Sequence, residues 1–213
     1  EEARKKLIES AAEGSDELLE KYLGEGELTN KEILQGLALT TRNCSCVPVL
    51  CGAATKNIGT TVLVDAIQNL LPSPQERAES SPVTASKPKT DEEVVVHMSA
   101  DDPFSAYVFK TTIDPFIGRL TYIKVQSGAL DADSQFYNPL RNTKEKGGHL
   151  YHMLGKKTMQ VGKVVAGDIV AIAKLKDTQT GDTICTDKHP LIFPGVKLNR
   201  PVMSFALEPK AKG

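Results

Sequence analysis

The sequence predicts an α+β chain in two parts, a helical part followed by an antiparallel β-barrel. Three observations support this prediction. Apolar residues recur at helical spacing from Glu1 to about Arg42. The stretch from 76 to 93 is rich in serine, proline and charge, which is typical of a linker. Beyond it the helical period disappears, and short alternating segments separated by turn signals take its place.

The first 42 residues are best explained as three short helices. Ser15 stands where it can cap the second helix, and Thr29 with Glu32 forms a capping box for the third. Up to Glu32 there are ten acidic residues against five basic ones, so the segment is locally acidic.

The pattern changes at the run Val47–Leu50, whose four residues predict a short buried strand. Residues 51–57 follow as a loop, and a helix is predicted from about Thr60 to Leu71 before Pro72 and Pro74 end it. Strand, loop and helix in this order indicate half of an α/β unit.

After the predicted linker at 76–93, residues 94–213 predict a closed antiparallel barrel of about six strands. The turn signals between the strands include Asp114-Pro115, Gly147-Gly148 and Gly181-Asp182. The predicted strands are Phe104–Thr112, Arg119–Gln126, Gln135–Asn138, Gly148–Leu154, Ile169–Ala173 and Val202–Leu207.

Composition excludes several classes of protein. The net charge is −1, which gives no global reason to expect DNA or an anionic membrane as a partner, and no apolar run approaches a membrane span. The four cysteines are too few for a disulfide scaffold and favour a reducing cytoplasm. Cys44, Cys46 and Cys51 lack zinc-site spacing and a fourth ligand, so no metal site is predicted, and we expect them to be buried.

Several short motifs occur along the chain in the order found in elongation factor G. The string from Val47 to Gly59 resembles the last nucleotide-binding motif of that family. Asp114–Leu120, Ala166–Ile169 and Thr180–Thr183 resemble turns of its second domain, and Glu208–Lys210 closes the series. Each motif is weak alone, but together and in register they make the chain similar to this family throughout.

The resemblance implies a domain assignment. Residues 1–75 would be the C-terminal part of a P-loop GTPase domain, with a helical insertion at 1–45 and the last strand and helix at 46–74. Residues 94–213 would be the translation-factor type β-barrel called domain II. Because the chain starts within a charged helical pattern and without methionine, we expect a fragment.

The resemblance also implies a function, that of a ribosomal translocase. The parent protein would bind GTP or GDP with Mg²⁺ and hydrolyse GTP to drive movement of transfer and messenger RNA. The sequence contains no phosphate-binding Gly-x-x-x-x-Gly-Lys-Ser/Thr loop and no guanine-reading Asn-Lys-x-Asp. We therefore expect no catalytic residue, no bound cofactor and no activity in the fragment alone.

One part of the nucleotide site is implied by the resemblance, the guanine-binding loop Gly52, Ala53 and Ala54. The family usually has a serine where this chain has Ala53. A backbone N–H at Ala54 needs no particular side chain to meet a guanine carbonyl, so only a hydroxyl is lost. A common strand-to-helix turn is the alternative interpretation of the loop by itself.

The expected partner is the ribosome, in the cytoplasm. Six basic residues between Pro139 and Lys163 face a single acid in the sequence, Glu145, which suggests contact with small-subunit ribosomal RNA. A solvated rim is the alternative. The acidic helices would face the ribosomal stalk protein. The candidate RNA-contacting residues are Arg119, Arg141, Lys144, Lys146, Lys156 and Lys157.

Two other functions fit the same sequence. A ribosome-protection or recycling factor would be built from the same domains. A free-standing RNA-binding barrel with a helical adaptor would not derive from a GTPase at all.

Overall fold

A computed structural model describes residues 1–90, 92–155, 157–196 and 203–206. The chain forms two compact units, Glu1–Ser80 and Ser81–Gly213. The first unit is helical, and the second contains a large antiparallel sheet, which confirms the predicted α+β fold class.

The first unit consists of five helices and a short 3₁₀ turn at Ala54–Lys56. Their bounds are α1 Glu2–Ala12, α2 Asp16–Glu25, α3 Asn30–Arg42, α4 Thr60–Leu70 and α5 Pro74–Ser80. The cap predictions are confirmed. The Ser15 hydroxyl accepts a hydrogen bond from the N–H of Leu18, and Thr29 with Glu32 forms a reciprocal capping box.

Helices α1, α2 and α3 share a small core that includes Ala11, Leu18 and Ile33. The Glu32 carboxylate also reaches Lys21 on α2, with 2.7 Å between the charged groups. Hydrogen bonds from Lys21 and then from Thr29 lower the pKa of Glu32 to about 2. The same carboxylate therefore caps α3 and joins it to α2.

The predicted strand Val47–Leu50 is wrong for this structure. The segment has no regular secondary structure, and no strand of the described residues pairs with it. Val49 is 88% exposed. A strand needs neighbours to satisfy its backbone groups, and the first unit offers only the isolated bridge between Ala53 and Ile58.

Twelve strands lie in the described part of the second unit. Their bounds are β1 Val83–Ser86, β2 Glu93–Val96, β3 Ser105–Asp114, β4 Gly118–Ser127, β5 Ala129–Asp131, β6 Gln135–Asn138, β7 Thr143–Lys146, β8 Leu150–Leu154, β9 Lys157–Val161, β10 Lys163–Val165, β11 Ile169–Ala173 and β12 Thr183–Cys185.

Eight strands form one antiparallel sheet in the order β7-β6-β12-β3-β4-β11-β8-β9, while β5 pairs with β10 and β1 with β2. One continuous core fills the inside of the barrel-like sheet, and Ile123, Val125 and Ile172 are among its fully buried members. Residues paired with these across neighbouring strands also point inward, and the residues next to them in the sequence point outward.

The segment predicted as a linker, 76–93, has regular secondary structure over much of its length. It contains the end of α5, the whole of β1 and the start of β2. Ala85 is buried with Val96 and Phe193, and Ser86 forms a backbone bridge to Ile192. The alternation of Val83 with Ala85, and of Val94 with Val96, is the strand signal that the proline and serine content obscured.

The end of the predicted barrel lies largely outside the described residues. Residues 203–206 of the predicted strand Val202–Leu207 have no regular secondary structure, and the remainder of that strand is not described. The motif Glu208–Lys210 is also outside the described residues.

Candidate functional site

The guanine-loop candidate is a tight turn before α4. The N–H of Ala53 donates to the carbonyl of Ile58 at 2.9 Å, and the N–H of Ile58 returns a bond to Ala53 at 3.1 Å. The N–H of Ala54 has no acceptor among the described residues. This geometry selects Ala54, and not Ala53, as the available donor of the loop.

Two glycines let the loop close on itself. A Cβ on Gly52 would lie 2.9 Å from the carbonyl oxygen of Ile58. A Cβ on Gly59 would lie 2.8 Å from the carbonyl oxygen of Cys51, and Gly59 has a φ of 79°, in the left-handed region. Neither position has space for a side chain.

The loop borders a cavity of about 230 Å³ lined by Gly52, Ala54, Gly59 and Leu63, together with nearby residues. Pockets for whole drug-sized ligands run to ~300–1,000 Å³, so this cavity fits a ring system better than a complete nucleotide. A planar base with a carbonyl acceptor matches both the space and the N–H of Ala54.

The three cysteines near this loop are not buried as expected. Cys44 and Cys51 are exposed, and Cys46 is partly buried. The expectation depended on a strand at 47–50, and without that strand Cys44 and Cys51 stay exposed. No three His, Cys, Asp or Glu side chains of the described residues are placed to hold a metal ion.

The basic residues of the second candidate site are spread over separate parts of the sheet. Lys144 and Lys146 lie on the edge strand β7, and Arg141 lies in the turn before it. Lys157 begins the opposite edge strand, β9. Lys156 lies outside the described residues. These residues, which are close together in the sequence, therefore lie on different strands of the sheet.

Two of these cations already have acidic partners from distant parts of the chain. The Arg141 Nε atom lies 3.1 Å from the Asp182 carboxylate, and Lys144 Nζ lies 2.5 Å from Asp187. A local count of charges between 139 and 163 could not include either acid. The positive charge available for a partner at this edge is correspondingly smaller.

Glu145, the one acid in that sequence window, does not face the lysines. Its buried carboxylate accepts backbone N–H bonds from Lys176, Asp177 and Thr178, at 2.7 to 3.0 Å, and one from the Thr178 hydroxyl. Burial by itself would raise the pKa of Glu145, but these hydrogen bonds outweigh it and lower the pKa below its ordinary value. The carboxylate fastens the 176–178 turn to β7.

Arg119 is held in the same region. Its two terminal nitrogens donate to the carbonyl oxygens of Lys176, at 2.7 Å, and of Thr178, at 2.6 Å. The guanidinium thus closes the other side of the 176–178 turn, and sequence reasoning missed this structural role. The residues around Arg119 gave no signal of this role, because its acceptor on Lys176 is 57 positions away in the sequence.

These strands and turns define an antiparallel barrel-like domain, and comparison with known proteins gives its type. The family model described as "Elongation factor G domain 2" matches residues 103–187. This part of the chain is therefore similar to domain 2 of elongation factor G.

A solved structure resembles a larger part of the chain. The crystal structure of a protein from Thermus thermophilus matches with a TM-score of 0.73 and 26% sequence identity. The match covers 98% of this chain and 28% of the other, so this chain spans just over a quarter of that protein. No helix of the described residues is long and apolar enough to cross a membrane.

Proposed function

We propose that this chain is part of a ribosomal translocase of the elongation factor G type, which uses GTP binding and hydrolysis to move transfer and messenger RNA. The match of residues 103–187 to elongation factor G domain 2 carries the proposal. The base-sized cavity beside the loop at 52–54 supports it, because the family places a guanine loop ahead of the barrel.

In this proposal Gly52, Ala53 and Ala54 would hold the guanine of GTP or GDP, and GTP with Mg²⁺ would supply the chemistry of hydrolysis. The N–H of Ala54 would donate to the guanine carbonyl, and Gly52 and Gly59 keep the turn narrow enough for the base to approach. No phosphate-binding loop occurs in this sequence, so the chain would form one wall of the site.

The partner in this proposal is the ribosome, in the cytoplasm. The barrel-like unit would contact small-subunit ribosomal RNA, and the acidic helical unit would face the stalk protein. Ten acidic residues against five basic ones up to Glu32 would mainly speed the encounter with a basic partner.

The guanine loop can be tested in the full-length protein that contains this chain. Ala54→Pro removes the N–H at the first residue of the 3₁₀ turn, where that N–H has no acceptor among the described residues, so no hydrogen bond of the turn is lost. Ala54→Gly keeps the N–H and serves as the matched control. We expect the proline variant, and not the glycine variant, to weaken GDP binding measured by calorimetry; equal affinities would exclude this loop from the site.

A gain-of-function variant gives a second test of the loop. Ala53→Ser restores the hydroxyl that is usual in the family. One additional hydrogen bond is worth about 0.5–1.5 kcal/mol, so GDP affinity should rise by roughly 2- to 10-fold. The isolated chain should show no measurable GDP binding, and a micromolar dissociation constant would contradict that expectation.

The ribosomal partner is tested by sedimentation. The chain should sediment with small ribosomal subunits at low salt and be released as salt is raised, because phosphate contacts release counterions. Failure to sediment with them under any salt condition would overturn the ribosomal assignment.

A further inference from the structure

The outside of the barrel-like sheet has a surface that the charge count along the sequence did not reveal. We call it the outer face and define it by Phe109, Lys110, Tyr122, Lys124 and Tyr151. Strand pairing aligns Lys110 with Tyr122, Tyr122 with Ala171, and Ala171 with Tyr151. Because paired residues point to the same side of a sheet, Tyr122 and Tyr151 stand in one row, two strands apart.

The aromatic rings of this surface occur in two groups. The ring centroids of Phe109 and Tyr122 lie 6.2 Å apart, and those of His149 and Tyr151 lie 6.3 Å apart with the rings edge to face. Both tyrosines are half-buried, so part of each ring is accessible. The outer face therefore presents two aromatic platforms.

Small residues separate the two platforms. Ala171 and Ala173 lie between them on β11 and are covered completely, with 0% and 1% of their surfaces exposed. The backbones of β4 and β8 lie roughly 10 Å apart across β11. Both tyrosine side chains pack against the cluster of Leu120, Ala171 and Ala173, and part of each side chain stays exposed.

The charge of the outer face is entirely positive, because its five residues include Lys110 and Lys124 and no acid. The acid on strands β3, β4, β8, β9 and β11 is Asp114, at the end of β3. The Asp114 carboxylate accepts the N–H groups of Phe116 and Ile117 within its own turn. Lys110 and Lys124 form no ion pair with a carboxylate of the described residues, and Lys110 Nζ lies 5.7 Å from the centre of the Tyr122 ring.

We infer that the outer face binds unpaired nucleotides of an RNA loop, with bases stacked at Tyr122 and Tyr151 and phosphates at Lys110 and Lys124. The inference rests on the proposed function, which makes RNA the partner of this unit. It assigns the contact to the outer face instead of the basic residues between 139 and 163, and it makes base stacking part of that contact. Aromatic faces with adjacent cations suit unstacked bases, whereas a duplex keeps its bases inaccessible to them.

The test compares two pairs of lysines in the whole chain. Lys110→Gln with Lys124→Gln removes two charges from the outer face, and Lys144→Gln with Lys146→Gln removes two from the β7 edge. The probes are a labelled single-stranded oligoadenylate, an RNA duplex of equal length and small-subunit ribosomal RNA. For each single-strand phosphate that a variant no longer neutralises, the slope of log affinity against log salt should fall by about 0.7.

We expect the outer-face pair to lose oligoadenylate affinity and about 1.4 of that slope, while the edge pair keeps both. Tyr151→Leu keeps an apolar cover over Ala171 but removes the stacking surface, and we expect a loss of roughly 5- to 100-fold for oligoadenylate. Tyr151→Phe should bind as the wild type does. Circular dichroism of each variant verifies that the sheet is retained.

Failure of this inference is distinguishable from failure of the proposed function. If ribosomal RNA binds and only the edge pair weakens it, the outer-face inference is wrong and the ribosomal proposal stands. Equal affinity for duplex and oligoadenylate, or an unaffected Tyr151→Leu variant, also overturns the inference. If neither probe nor ribosomal RNA binds the wild-type chain, the proposed function itself fails.

Discussion

The core of the barrel-like unit and the stretch from residue 47 to residue 67 of the helical unit differ in how completely they cover their apolar residues. In the barrel-like unit, Ile123, Val125 and Ile172 are sealed within one continuous core. In the helical unit, α4 leaves Leu63 and Ile67 about half exposed, and the segment before it leaves Val49 88% exposed. In the helical unit one side of α4 stays partly open to solvent, whereas the core of the barrel-like unit is closed.

This difference shows that a local sequence pattern can predict a helix without predicting whether other elements cover its apolar side. The apolar spacing of α4 is correct for a helix, and the helix forms, but no second layer among the described residues of the first unit covers it. The energetic consequences can be measured unit by unit.

Hydrogen exchange should give the largest contrast. Backbone amides of β3, β4 and β11 should exchange only through opening of the whole unit, because these strands are paired on both sides. Amides of residues 47–51 should exchange close to the rate of an unstructured peptide, because no backbone acceptor among the described residues bonds them. Similar slow exchange in both regions, in a chain shown to be monomeric, would contradict the comparison.

A matched pair of isoleucine truncations should sharpen the same contrast. Ile123→Ala removes a fully buried side chain and should cost about 2–5 kcal/mol of unfolding free energy in the second unit. Ile67→Ala removes the same atoms at a half-exposed site and should cost less than ~1 kcal/mol in the first unit. Urea-dependent hydrogen exchange measures each unit separately, and equal costs would refute the distinction.

Glu145 should make the second unit sensitive to acid. Because its folded pKa is lowered, its stabilising contribution is present above the ordinary carboxyl pKa and is lost as pH falls through the folded pKa. Glu145→Gln leaves buried N–H groups poorly paired and should cost roughly 2 kcal/mol at neutral pH.

The control for this prediction is the pH dependence of the variant. The stability gap between wild type and Glu145→Gln, measured by urea unfolding, should narrow from pH ~7 to pH ~3. A gap that stays constant would show that the ionised carboxylate is not the stabilising form.

The capping box should give the smallest effect. Thr29→Ala removes the hydroxyl that accepts the N–H of Glu32 and should cost about 1 kcal/mol in the helical unit. Thr29→Ser keeps an acceptor oxygen and should cost little. Helical circular dichroism during urea unfolding gives the comparison, and equal losses in both variants would assign the effect to the lost methyl group.

Local rules predicted the features that depend on neighbouring residues. The Ser15 cap, the Thr29–Glu32 box and the helix from Thr60 follow from residues within a few positions of each other. The strand predicted at Val47–Leu50 was wrong because a strand needs partner strands, and the four residues of the run do not reveal whether such partners exist. The β1–β2 hairpin was missed because composition averaged over the whole segment concealed its alternation.

The candidate sites divide in the same way. The loop at Gly52–Ala54 could be located from a motif, but only the turn geometry shows that Ala54 retains a free donor among the described residues. The basic residues of the sequence window lie on β7, on β9 and in the turn before β7, a distribution that strand order gives and the sequence does not. The outer face was invisible in sequence because its members come from strands that meet only in the sheet.

The pairing of Arg141 with Asp182 has a consequence for the synthesis of the chain. The two residues are 41 positions apart, and Lys144 precedes Asp187 by 43. During synthesis each cation is made roughly 2–8 seconds before its acid, at ~5–20 residues per second. Until Asp182 and Asp187 have been added and can pair, the nascent chain carries an unneutralised basic stretch close to the anionic ribosome that is making it.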